Sequence, residues 1–342
     1  MAKALLLLSG GLDSTLAGKM LLDLGCAVSA VNFTSPFCRC TPKNFAAGCS
    51  AAASAAQKLG IPIKVFAKGE DYLAVVKKTP HGWGSGVNPC VDCRIFTFKR
   101  AKEEMEKTGA DFIATGEVLG QRPMSQKRHP LLLIEREAGL SGKIVRPLSA
   151  QLLPPSDAEK SGVIDREKLL AISGRSRQTQ IALADEWNIA DYPCPAGGCL
   201  LTDPEFAARF RELLNATPDF DLNDARLLSL GRQFRLPSGA KAVVGRNEDE
   251  CGRLEKIRRA ASGSRGGDWV GNFTDVSAPT VLLRDGRADD LPLAAGLGLY
   301  HSKAETGNFV AAGDGGQEIA VVPRRVREDE VERWRIQKTI NN

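Results

Sequence analysis

The hexapeptide Ser9-Gly10-Gly11-Leu12-Asp13-Ser14 stands directly behind the apolar run Ala4–Leu8 and directly ahead of a stretch, about 14–24, with helical periodicity. A strand that turns through paired glycines into a helix is a unit of parallel α/β sheets, and it is also an anion trap. Glycines let the backbone approach a phosphate closely, and the N–H groups and positive dipole end of the helix hold it. Ser9 and Ser14 add hydroxyl donors, whereas Asp13 would repel phosphate; its natural tasks are capping the helix or holding Mg²⁺ against phosphate oxygens. The loop has neither the lysine nor the length of G-x-x-x-x-G-K-[ST], which excludes a P-loop NTPase.

The pattern continues with a strand at 28–33, a helix at 45–59, a strand at 63–66, a helix at 96–108 and a strand at 111–115. Such alternation predicts βαβ units and a parallel sheet. Ligands of these sheets gather at the carboxyl ends of the strands, which points to residues 9–14, 33–40 and 115–126. Residues 131–135 and 144–146 read as a hairpin, followed by helical stretches to about 188 and a further helix at 204–215. Beyond about 217 short β-like runs at 241–244, 280–283 and 318–322 alternate with Gly, Asp and Ser. The expected organisation is a nucleotide-binding α/β domain at 1–150, a helical extension carrying the distal cysteines at 151–217, and a small α+β domain at 218–342.

A length of 342 residues suits more than one domain, and 43% hydrophobic with 25% charged residues is the balance of an ordinary globular protein. No apolar run approaches the roughly 20 residues of a membrane span, so no membrane partner is expected. A net charge of +5 permits a nucleic-acid partner without requiring one. Nine cysteines without a secretion signal, some at C-x-C and C-x-x-C spacing, fit metal or sulfur chemistry in a reducing, cytoplasmic setting. With only three histidines, His81, His129 and His301, a His-rich zinc hydrolase site is disfavoured.

Cys90-Val91-Asp92-Cys93 follows Asn88-Pro89 just ahead of a helix, whose dipole favours thiolate. The pair alone leaves zinc, an iron–sulfur cluster, a redox disulfide and a persulfide site open. Cys194 and Cys199, in the irregular run 192–199, could fold back over it, and a structural zinc on Cys90, Cys93, Cys194 and Cys199 is one such arrangement. Cys38, Cys40 and Cys49 follow the second strand and read as simple thiols, with a sulfur relay or second metal as the functional alternative. Cys26 and Cys251 read as packing residues.

The hexapeptide resembles the SGGxDS signature of the PP-loop ATP pyrophosphatase superfamily, and the N-P-C-x-x-C loop with a distant cysteine resembles its tRNA-thiolating, thiouridine synthase-like branch. The resemblance, which spans about residues 1–215, implies an adenine-nucleotide alpha-hydrolase-like sheet and cleavage of ATP between the α and β phosphates with transfer of AMP to a substrate oxygen. It places ATP on Ser9, Gly10, Gly11, Asp13 and Ser14, the adenine near Phe33, and Gly116 against the nucleotide. Sulfur chemistry falls to Cys90, Cys93 and Cys199, as a persulfide site or as ligands of a 4Fe-4S cluster. The cluster is preferred, because three ligands leave one iron open for hydrosulfide. Where family members have His or Asp soon after the T-G pair, this chain has Glu117 and the run Gly120-Gln121-Arg122-Pro123. Arg122, with Arg175 and Arg177 at a helix start, is expected on ATP phosphates or an RNA backbone, since arginines there oppose the helix dipole.

The phrases 231–236, 241–247 and 300–303 resemble the RNA-binding domain of the NFACT proteins. Arg232, Arg235, Lys241, Arg246, Arg253, Lys256, Arg258, Arg259 and Arg265 read as a phosphate-binding face. Together these features predict an ATP-dependent RNA sulfurtransferase. Its partners would be tRNA or another RNA and a sulfur donor protein or sulfide, with a homodimer allowed. The rivals are a PP-loop enzyme inserting sulfur or nitrogen into a small molecule, and an RNA-binding protein with a structural zinc.

Overall fold

The computed structural model describes residues 1–39, 48–189, 192, 198–260 and 267–336; Cys40, Cys194 and Arg265 lie outside them. The chain divides into two compact units, Met1–Asp203 and Pro204–Asn342. The helix at Pro204–Ala216 therefore opens the second unit, ahead of the boundary near 217 read from composition.

In the first unit the strands are β1 (Lys3–Leu7), β2 (Ala27–Thr34), β3 (Ile63–Ala67), β4 (Phe112–Thr115) and β5 (Ile144–Val145). The helices are α1 (Leu12–Asp23), α2 (Ser50–Leu59), α3 (Glu70–Lys77), α4 (Cys90–Thr108), α5 (Arg128–Glu137), α6 (Asp157–Lys160) and α7 (Gln178–Glu186). The sheet is parallel in the order β3-β2-β1-β4-β5. β1 is buried on both sides because its residues alternate between two cores. Leu6 and Leu8 join α1, α2 and α7, while Leu5 and Leu7 join α4 and α5. A fully buried leucine of this kind costs about 2–5 kcal/mol when cut to alanine. The chain leaves β1 for β2 on one side, and β4 pairs on the other, so the carboxyl ends of β1 and β4 flank the point where strand order reverses.

Two local expectations fail. Residues 131–135 form part of helix α5, not a hairpin strand: Leu131, Ile134, Glu135 and Ala138 are buried at helical spacing while Leu132 is exposed. Ile144–Val145 instead pairs in parallel with β4. Helix α3, unforeseen, buries Tyr72, Leu73 and Val76 at i, i+1 and i+4.

The second unit contains α8 (Pro204–Ala216), α9 (Leu222–Leu227), β6 (Arg232–Arg235), β7 (Lys241–Val244), α10 (Glu248–Ala260), β8 (Trp269–Phe273), β9 (Val281–Arg284), α11 (Leu291–Tyr300), β10 (Phe309–Gly313), β11 (Glu318–Val321) and α12 (Glu328–Trp334). Its strands form an antiparallel sheet in the order β11-β10-β8-β9-β7-β6. One face packs on α11 and α12 through Leu297, Val331 and Trp334, the other on α9 and α10 through Leu227 and Leu254. No helix among the described residues is long and apolar enough to cross a membrane.

Candidate active site

The Ser9–Ser14 loop is fixed by backbone packing and by its own serines: Ser9 N donates to Ser14 Oγ at 3.3 Å and Gly11 N to Ser9 Oγ at 3.4 Å. Gly10 has φ +78°, and a Cβ there would lie 2.4 Å from the backbone of Ala51 and Ala52 at the start of α2. A Cβ on Gly116 would lie equally close, at 2.4 Å, to the backbone of Asp13 and Ser14. Glycine is required at both, because the loop, the end of β4 and the start of α2 meet backbone to backbone. Ser14 Oγ donates to Gly11 O at 2.9 Å and lies 3.1 Å from Ser9 Oγ, so the hydroxyls brace the turn. Gly11 occupies the cap position of α1, and no side chain among the described residues caps that helix.

Asp13 is held from one side: its Oδ2 accepts from Gln121 Nε2 at 3.3 Å and lies 3.5 Å from Arg177 Nη2. Its Oδ1 is buried and has no hydrogen-bond partner among the described residues. An orphaned carboxylate oxygen beside an uncapped helix start fits a cation held against phosphate oxygens.

Arg122, Arg94 and Arg177 crowd the ground between this loop and the cysteines. Desolvation first, and then the like charge of Arg94 and Arg177, lower the pKa of Arg122, with Cys90 and Glu117 acting in the opposite sense. Arg175 is exposed, and no hydrogen bond or ion pair among the described residues joins it to this group. Phe33 stacks on Phe66 with centroids 5.3 Å apart, making an aromatic wall at the end of β2.

Cys90 and Cys93 occupy the first turn of α4. Cys93 Sγ lies 3.1 Å from Lys68 Nζ, and the ammonium sits 4.6 Å over the Tyr72 ring. Burial would raise the Cys93 pKa, yet the Lys68 charge and hydrogen bonds from Tyr72 and Lys68 bring it below the usual thiol value. Cys90 is shifted upward by burial and by Cys93. Cys199 is pushed up to about 12, by burial first and then by the nearby Cys93, Cys38 and Cys90. The four sulfurs thus share one neighbourhood. They do not close on a cation: among the described residues no group of three or more His, Cys, Asp or Glu is arranged to hold a metal ion. As placed, Cys90, Cys93 and Cys199 do not fit a cluster or zinc, and the four-cysteine zinc arrangement also needs Cys194, outside the described residues. Cys26 is a buried member of the core around α1, as a packing residue should be.

Sequence reasoning missed the supports of this site. Glu117 is buried, accepts from Arg146 Nε at 3.0 Å and lies 3.4 Å from Arg94 Nε; Arg146 also pairs with Glu135. Arg94 and Arg146 hold the Glu117 carboxyl below its usual range against the opposing effect of burial. His81 Nδ1 lies 2.8 Å from Asp92 Oδ1, tying the loop before α4 to the cysteine turn. The signals in the sequence were the departure at Glu117 and the charged residues on either side of Cys93, Asp92 and Arg94.

The second unit revises the basic face read from sequence. Lys241 is buried; Arg235 pairs with Glu212, Arg246 with Glu250 and Arg253 with Asp249. Much of that run is internal pairing, not a bare cationic surface.

Residues 1–151 match the family described as thiamine biosynthesis protein (ThiI), and residues 231–335 match the NFACT protein RNA binding domain. Among curated proteins, the chain is 38% identical over 121 residues to the tRNA-specific 2-thiouridylase MnmA of Syntrophotalea carbinolica, covering 33% of each. It is 28% identical over 216 residues to a probable tRNA sulfurtransferase of Brevibacillus brevis, covering 62% of this chain and 48% of that one. The chain spans from about a third to about half the length of these relatives. A solved 4-thiouridine synthetase–RNA complex with bound ATP aligns over 56% of this chain and 51% of its own, at 23% identity and a TM-score of 0.32. The chain therefore pairs a segment that matches the ThiI family model, residues 1–151, with one that matches the NFACT RNA-binding domain model, residues 231–335.

Proposed function

We propose that this protein is an ATP-dependent tRNA sulfurtransferase: it adenylates a base carbonyl oxygen and replaces that oxygen with sulfur. The observation that carries the reading is Arg177 lying 3.5 Å from Asp13, with Arg122 within electrostatic reach of Arg177, Arg94 and Cys90. It joins the glycine loop to a cluster of thiols within one unit. Three guanidiniums that repel one another are the complement of a polyphosphate.

In this reading the amides of residues 10–14 and the α1 dipole hold the pyrophosphate portion of ATP, Phe33 and Phe66 border the adenine, and Arg122 and Arg177 steady the phosphates. Asp13 would hold Mg²⁺, which supplies charge neutralisation as pyrophosphate leaves. Adenylation turns the carbonyl oxygen into a good leaving group, and sulfur held on the cysteine centre attacks the carbon as AMP departs. Lys68 beside Cys93 draws that thiol's pKa below its usual value against the effect of burial, which favours thiolate character in the cysteine centre. The RNA is gripped by residues 231–335, in keeping with the family that segment matches.

Release of AMP and pyrophosphate with and without tRNA tests the first half. RNA stimulation supports it, and turnover on small molecules alone refutes it. For the second half, Cys90→Ala and Cys199→Ala should each lower thiolated nucleoside more than 100-fold while AMP release stays within a few-fold. Full thiolation by either variant removes that cysteine from the mechanism. A second reading, a 4Fe-4S cluster on Cys90, Cys93 and Cys199, draws on the gathering of these thiols in one neighbourhood and requires them to close further than they are placed. Iron and zinc analysis after anaerobic purification separates the two: about four irons per chain supports the cluster, and no iron supports the persulfide.

A further inference from the structure

Cys38 was not needed for any step above, yet it stands directly opposite Cys199 in an antiparallel bridge. Leu200 N donates to Phe37 O at 2.8 Å and Arg39 N donates to Gly198 O at 3.2 Å, so the backbone bonds flank the two cysteines. In this non-hydrogen-bonded kind of pair the Cα atoms come within about 4.5 Å and both side chains leave on the same face. A disulfide spans Cα separations of about 4.4–6.8 Å, so the pair is built at a distance at which its sulfurs can bond. The bridge is anchored at both ends. Arg39 pairs with Asp203 at 2.8 Å, Val87 N donates to Leu201 O at 2.9 Å, and Cys38 Sγ lies 3.3 Å from Ser35 Oγ at the end of β2. Cys90 and Cys93 share a helical turn instead, and the Cys93 sulfur is held by Lys68.

We propose that Cys38 and Cys199 are a redox-active dithiol pair in which Cys38 resolves the sulfur transfer; the inference rests on the thiolation reading. Cys199, its proton passing to solvent, attacks the terminal sulfur of a donor persulfide; the donor's S–S bond breaks, its thiol departs, and Cys199 is left as the persulfide. The terminal sulfur bonds to the adenylated carbon, AMP leaves with the oxygen, and the base is briefly joined to Cys199 through an S–S bond. The Cys38 thiolate, its proton lost to solvent, attacks Cys199 Sγ; the S–S bond to the substrate breaks and the thiocarbonyl departs. The transferred sulfur is reduced, the two cysteines are oxidised to a disulfide, and a dithiol reductant restores them.

The test uses the full chain. After mild oxidation, peptide mapping under non-reducing conditions should find Cys38 bridged to Cys199, reversed by dithiothreitol and absent from Cys38→Ser. In a single turnover without reductant, Cys38→Ser should release AMP at near the normal rate and accumulate a protein–RNA adduct that dithiothreitol cleaves, with product lowered at least 10-fold. A bridge from Cys199 to Cys90 or Cys93, with Cys38 left as a thiol, overturns the proposal. So does a Cys38→Ser protein that yields product like the parent with no adduct. Mapping requires neither ATP nor RNA, so a Cys38–Cys199 bridge in a protein that never releases AMP would refute the thiolation reading and leave the dithiol standing.

Discussion

Each unit buries an arginine between two carboxylates: Arg146 between Glu117 and Glu135 in the first, Arg284 between Asp224 and Asp268 in the second. The two differ in where the charge leads. From Glu117 it passes to Arg94 and on to Arg122 and Cys90, toward the glycine loop and the thiols. From Arg284 it stays along the sheet. Arg235, Lys241 and Arg284 are cross-strand neighbours on the face that packs against α9 and α10, balanced by Glu212, Asp224 and Asp268. A buried ion network can serve a site or only close a fold, and its open end tells which.

The sharpest way to break this contrast is at the open end. Asp13→Asn should lower AMP release by about two to three orders of magnitude, the scale of losing one preorganised electrostatic contact, with the thermal midpoint of the protein little changed. Unaltered AMP release would remove Asp13 from the chemistry.

Next come the arginines themselves. Arg146→Met leaves Glu135 without its buried cation and Glu117 with Arg94 alone, and Arg284→Met removes the cation between Asp224 and Asp268; breaking a buried pair in this way costs about 3–5 kcal/mol. Denaturant unfolding should show both losses, while ATP affinity, read in the folded range, should fall only for Arg146→Met. An equal effect of both on ATP would erase the distinction.

A smaller effect belongs to Lys241, buried with its Nζ unpartnered among the described residues. Burial lowers its pKa from 10.5 to about 7. The unfolded chain therefore holds a proton that the folded one releases between those values, and stability rises with pH across that window, by at most about 1.4 kcal/mol per pH unit. Lys241→Met should flatten the rise by an amount on the order of a few kcal/mol in total. A stability-against-pH curve unchanged by the substitution would contradict the burial of Lys241 as the source of the rise.

The least effect is expected at Arg246, already paired with Glu250 through its guanidinium. Arg246→Gln should change RNA affinity by less than about twofold and leave the salt dependence nearly intact, whereas a true phosphate contact would reduce the slope by about one.

The sequence made the phosphate loop legible because strand, glycines and helix are consecutive, and every constraint on them is local. The Cys90–Cys93 turn was legible for the same reason. What it concealed was set by distant partners. Lys68 reaches Cys93 from the end of β3, and Cys38 meets Cys199 across more than 160 residues, so no spacing rule reports either contact. Helix α5 was misread because its four consecutive apolar residues, Leu131–Ile134, fit a strand as well as a helix; Pro130 in the first turn and the buried set 131, 134, 135 and 138 decide for the helix. The basic run at 232–253 misled for the opposite reason, since composition counts charges without their partners.

Gly10 and Gly116 carry a consequence for how such a site can change. With bare backbone on both sides of each contact, the platform at this loop owes its shape to close main-chain packing, braced by the loop's own Ser9 and Ser14 hydroxyls. Replacing Phe33, Gln121 or Arg122 would therefore alter what is recognised without moving the platform, while a single added methyl at either glycine would force its elements apart. Side-chain recognition in this architecture is free to drift, and the backbone platform beneath it is not.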